Sequence, residues 1–76
     1  MILNEIIKCG INSIDVEDES TISFYLPDGH HADMAGAIKI AKFICPDVKK
    51  IKTYSGFEPT ISYVFKNDDW KSVTTQ

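Results

Sequence analysis

Apolar and polar residues alternate in several short runs along the chain, and two further runs carry a helical spacing. Residues 2–9 hold Ile2, Leu3, Ile6 and Ile7; positions 3, 6 and 7 share one helical face, while Asn4, Glu5 and Lys8 face elsewhere. Gly10 stands where a helix-terminating glycine belongs. A short helix is expected, with a strand as the alternative because isoleucine is stiff at χ1. Residues 13–17 alternate, with Ile14 and Val16 on one side and Ser13, Asp15 and Glu17 on the other. After the turn Glu17-Asp18-Glu19-Ser20, the run Thr21 to Leu26 alternates again, setting Ile22, Phe24 and Leu26 against Thr21, Ser23 and Tyr25. Together these predict a β-hairpin with an acidic tip.

Pro27-Asp28-Gly29 ends that strand, and Asp28 is the expected N-cap of a helix from about His31 to Cys45. Met34, Ala37, Ile38, Ala41, Ile44 and Cys45 recur at helical spacing, with Lys39 and Lys42 on the solvent side. Gly36 weakens this helix by about 1 kcal/mol relative to alanine, but admits another backbone closely. Pro46 stops it. Residues 48–54 predict a strand with Ile51 and Thr53 opposite Lys50, Lys52 and Tyr54. The loop Ser55-Gly56-Phe57-Glu58-Pro59 leads to a strand over 60–66, with Ile61, Tyr63 and Phe65 inward. The turn Asn67-Asp68-Asp69 leads to a last strand over 70–75.

The order α-β-β-α-β-β-β implies an α+β fold. It is a small two-layer domain: an antiparallel-rich sheet of four to five strands, one central helix on one face, and a short N-terminal helix. The expected core is Ile14, Val16, Ile22, Phe24, Leu26, Met34, Ile38, Ala41, Ile44, Ile51, Ile61, Tyr63 and Phe65. This leaves the second sheet face to Thr21, Ser23, Tyr25, Lys50, Lys52, Tyr54, Ser62, Val64 and Lys66. Three readings of it compete: an ordinary solvated face, a surface covered by the N-terminal helix, or a binding face that uses tyrosine for area and a polar tip.

Length sharpens the choice. A single domain of 76 residues has little chain to wall off a pocket of about 300–1,000 Å³, so a shared site or a surface function is favoured, and association would help stability. No segment approaches the roughly 20 apolar residues of a membrane span. Asn4, Glu5 and Lys8 interrupt the N-terminal apolar run as no signal peptide allows, so a cytoplasmic location is expected. Cys9 and Cys45 are expected as reduced, buried thiols.

Charge is uneven: eleven acidic residues and eight basic ones give −3, and every basic residue is lysine. Asp15, Glu17, Asp18 and Glu19 gather at the hairpin tip; Lys39, Lys42, Lys49, Lys50 and Lys52 gather later. Opposite patches on one molecule are compatible with a homodimer. Lysines interleaved with Tyr25 and Tyr54 resemble a single-strand binding sheet. The missing arginine weighs against that, because lysine cannot reproduce bidentate contacts to phosphate or guanine.

Local chemistry is sparse. His30 and His31 are adjacent and flanked by Asp28 and Asp33, but metal-ligand spacings such as C-x-x-C or H-E-x-x-H are missing. No nucleophile elbow or glycine-rich phosphate loop occurs. No catalytic residue, metal ligand or cofactor is therefore assigned. The candidate binding residues are Tyr25, Lys50, Lys52, Tyr54 and Val64 on the sheet face, and Phe57 with Glu17, Asp18 and Glu19 in the loop and acidic tip. The expected function is a small non-enzymatic interaction module binding a protein partner or itself as a homodimer, of the kind found as phage- or plasmid-type accessory or inhibitor proteins. The alternatives are a nucleic-acid-binding sheet using Tyr25, Lys50, Lys52 and Tyr54, or a subunit of a small oligomeric enzyme or metal protein.

Overall fold

The computed structural model describes residues 2–75. Its elements are α1 (Ile2–Cys9), β1 (Ser13–Val16), β2 (Thr21–Leu26), α2 (Met34–Ile44), β3 (Lys50–Ser55), β4 (Thr60–Lys66) and β5 (Asp69–Thr75). The strands form one five-stranded sheet in chain order. β1 pairs with β2, β3 with β4 and β4 with β5 in antiparallel fashion, whereas β2 and β3 run parallel. A parallel neighbour requires a crossover rather than a tight turn, and α2 is that crossover. The fold is thus the expected α+β domain, with a mixed sheet that is mostly antiparallel.

Both helices lie on the same side of the sheet. They run antiparallel: Glu5 pairs with Lys39 at 3.3 Å, while Cys9 Sγ sits so near Gly36 that a Cβ there would approach it to 3.2 Å. What approaches Gly36 is not another backbone but two side chains, the Asp33 carboxylate of its own N-cap and the Cys9 thiol of α1. Burial raises the Cys9 thiol above its ordinary value, with Asp33 and Glu5 adding to the effect. The structure buries Cys9 and leaves Cys45 only half-buried.

The core gathers Cys9, Ile22, Phe24, Leu26, Ala32, Ala37, Ile40, Ala41, Val48, Ile51 and Tyr63. Its apolar phase differs from the sequence expectation in both helices. In α1 the inward stripe is Ile2, Ile6 and Cys9, leaving Leu3 and Ile7 exposed. Cysteine serves here as a small hydrophobe and completes an i, i+4, i+7 stripe. In α2 the buried residues are Ala37, Ile40 and Ala41, whereas Met34 and Ile44 are more than a third exposed. Apolar residues surround most of α2, so spacing alone does not choose the stripe; docking of α1 at Gly36 does. Val16 is 48 % exposed because it lies on the edge strand.

The helix start also differs. Asp33, not Asp28, is the N-cap, accepting the Gly36 N–H at 3.4 Å. Asp28 instead occupies a turn closed by His30 N–H to the Pro27 carbonyl at 3.1 Å, where Gly29 supplies the left-handed φ of 77° that such a turn needs. The segment between is anchored by the Tyr63 hydroxyl, which donates to the buried Ala32 carbonyl at 2.6 Å, so the helix cannot begin until Met34.

Candidate functional site

Strand register assembles the second sheet face. Tyr25 lies beside Tyr54, Ser23 beside Lys52, and Thr21 beside Lys50 across the parallel β2–β3 ladder. Lys50 and Lys52 then face Val64 and Ser62 on β4, and these face Lys71 and Val73 on β5. Neither helix lies on this side of the sheet, so the face is open among the described residues. All five candidate residues of the face, Tyr25, Lys50, Lys52, Tyr54 and Val64, are brought together on it.

The Tyr25 and Tyr54 rings stack, with centroids 5.1 Å apart and planes within 13°. The two side chains thereby present a joint aromatic ridge with two phenol hydroxyls, which suits a partner surface that is apolar but wet at its rim. Each ring has one face occupied by the other, leaving only the outer faces for further stacking.

The middle of the face is sealed by charge. Glu17 folds back from the hairpin, accepts a hydrogen bond from the Ser23 hydroxyl, and pairs with Lys52 at 3.1 Å. Ser23 is fully buried beneath this pair. The Ser23 hydroxyl, and then the Lys52 ammonium, hold the Glu17 carboxyl below its ordinary value. The hydrogen bond that Lys52 donates to Glu17 in turn raises the Lys52 ammonium above its ordinary value. Asp18 is spent on the turn itself, accepting the Ser20 N–H at 2.8 Å and its hydroxyl at 3.0 Å, which lowers its carboxyl. Of the acidic-tip candidates, Glu17 and Asp18 are engaged within the molecule, and Glu19 is exposed.

Phe57 stands apart in the loop after β3, with its side chain entirely in solvent. The loop beneath it is braced. Ser55 donates its hydroxyl to the Pro27 carbonyl at 2.8 Å, and His31 pairs with Glu58 at 2.8 Å. Gly56 has a φ of 57° and lies against Asp28, where a Cβ would come within 1.9 Å of the carboxylate. Phe57 is thus displayed from a fixed support. Trp70, by contrast, packs against Phe65 with centroids 5.4 Å apart.

Lys71 and Val73 belong to the open face and were not singled out from sequence. The signal that finds them is the two-residue turn Asn67-Asp68, whose residues both have positive φ. Such a turn sets Lys66 opposite Asp69 and thereby fixes the whole facing of β5. Among the described residues, no three His, Cys, Asp or Glu side chains converge as a metal site, and no helix is long and apolar enough to cross a membrane. His30 and His31 lie in the segment before α2, with His31 committed to Glu58.

Comparison of the chain with protein-family models, curated proteins and solved structures gives no match.

Proposed function

We propose that the protein is a small non-enzymatic interaction module that binds a protein partner through its open sheet face. The observation that supports this most directly is the stacked Tyr25–Tyr54 ridge on a face that neither helix covers. Tyrosine offers large contact area at low entropic cost, and interface centres are enriched in it. Val64 and Val73 extend the apolar part of the face, while Lys50 and Lys71 supply a polar rim. A nucleic-acid role is less well supported, because Lys52 is already neutralised by Glu17 and each tyrosine ring has one of its two faces occupied by its neighbour.

The test is site-specific photo-crosslinking in the source cell. A photoreactive residue replacing Tyr54 is expected to yield a discrete protein adduct, whereas one replacing Lys42, exposed on α2, is not. Equal labelling from both positions, or adducts with nucleic acid alone, would overturn the proposal.

A further inference from the structure

The two edges of the sheet are built differently. β1 has four residues, and Asp15 lies in its middle. β5 has seven residues, Asp69–Thr75, without proline or glycine. Natural sheets blunt long edges because unpaired backbone groups recruit another strand. β1 is blunted by shortness and acid; β5 is nearly twice as long, and its only interior charge is Lys71.

The turn before β5 determines which of its backbone groups are free. A two-residue turn with two left-handed residues makes Lys66 and Asp69 a hydrogen-bonded pair, and antiparallel pairs alternate in type from there. Lys71 and Val73 therefore direct their N–H and C=O groups at β4. Trp70, Ser72 and Thr74 direct theirs at the open edge. Consistent with this, the Trp70 N–H is taken by its neighbour's carboxylate, Asp69, at 2.9 Å rather than by the ladder.

We propose that β5 pairs antiparallel with β5 of a second copy of this chain, giving a two-fold dimer with one continuous sheet. The occupant follows from self-complementarity. In a register centred on Ser72, each Ser72 meets its own counterpart and each Trp70 meets Thr74, so every outward-pointing residue on both strands is paired. A shift toward the turn sets Lys71 against Lys71, a like-charge contact, and leaves Thr74 unpaired. A shift the other way carries Trp70 past Thr74, the last outward-pointing residue of β5 among the described residues. In the favoured register Lys71 faces Val73 on the open side, and Trp70 faces Thr74 on the helix side. The same pairing across β1 would gather Asp15 and Glu17 of both copies. The two-fold axis stands perpendicular to the sheet, so the open faces of both copies lie on one side and merge.

Light scattering on the purified chain is expected to report twice the 8.5 kDa chain mass. Ser72→Pro removes an N–H that faces solvent in the monomer, a position where an edge strand tolerates proline. It is expected to leave the circular dichroism unchanged and weaken the dimer by roughly 100-fold. Val73→Lys, at a half-exposed side chain outside the core, is expected to weaken it about tenfold at low salt, with recovery near 1 M salt. In a Cys45→Ser background, Ser72→Cys should give a covalent dimer on mild oxidation, because directly opposed residues bring their Cα atoms to about 5.5 Å. A chain that stays monomeric up to roughly 1 mM, or a dimer untouched by both Ser72→Pro and Val73→Lys, overturns the proposal. A dimer lost through Tyr25→Ala but kept in both β5 variants also overturns it, while leaving the open-face reading intact.

Discussion

Phe24 and Ser23 are neighbours on β2, both wholly excluded from water, yet they point to opposite faces and are buried by opposite means. Phe24 is closed over by apolar side chains of the helical layer. Ser23 is closed over by an ion pair, Glu17 and Lys52, which lies on the surface. Equal burial therefore conceals unequal energetics. Apolar packing loses both transfer energy and a cavity when it is removed. A lid of exposed charges is screened by solvent and salt, and contributes far less.

The largest effect should come from the covered face. Phe24→Ala is expected to cost about 3–5 kcal/mol, comparable to the whole stability of roughly 3–5 kcal/mol that a core of this size supplies. Circular dichroism at 25 °C should then show an unfolded chain, and a folded one would break the contrast between the faces. Tyr63→Phe sharpens it from within the covered face. Deleting the hydroxyl leaves the buried Ala32 carbonyl without its 2.6 Å donor, at an expected cost of about 1–3 kcal/mol. The urea midpoint should fall with an unchanged slope.

The open face should answer to pH instead. The Glu17 and Asp18 carboxyls are lowered in the folded chain. Their stabilisation is thus complete above the ordinary carboxylate range and is lost as pH falls through the lowered folded values. Urea midpoints measured from neutral pH down to about 2, against an ordinary carboxylate value near 4, should decline in the wild type and decline less in Glu17→Gln. Equal slopes in the two chains would mean that the Glu17–Ser23–Lys52 lid contributes nothing. The smallest effect belongs to Phe57→Ala, which is expected to change stability by less than about 0.5 kcal/mol, because its side chain touches nothing that the fold needs.

Much of this was legible in the alternation of residues. Every element appears in the expected order, although α2 begins at Met34 and β3 at Lys50, each later than the alternation suggests, and the open face was readable because strands expose every second side chain. The parallel β2–β3 pairing was not legible, since register between distant strands leaves no local mark. It is this pairing that sets Tyr25 beside Tyr54. The engagement of Glu17 was hidden for the same reason: an acidic hairpin tip reads as solvated until Ser23 and Lys52 are known to lie under it. In α2, apolar residues on nearly every side left the buried stripe to be decided by α1, which no window along α2 contains.

The parallel seam also divides the molecule in time. β1 and β2 are joined by a tight hairpin, and β3, β4 and β5 by two more, so each half can zip locally within microseconds. Across the seam, every partner lies a whole helix away along the chain, and that closure must be met before its contacts reward it. The docking of two preformed hairpin units through α2 is then expected to limit the folding rate. Substitutions at Ile22 and Ile51, which meet across the seam, should therefore hasten unfolding as well as slow folding, whereas those at Val73, in a hairpin formed before docking, should slow folding and leave unfolding unchanged, a division that stopped-flow kinetics would read directly.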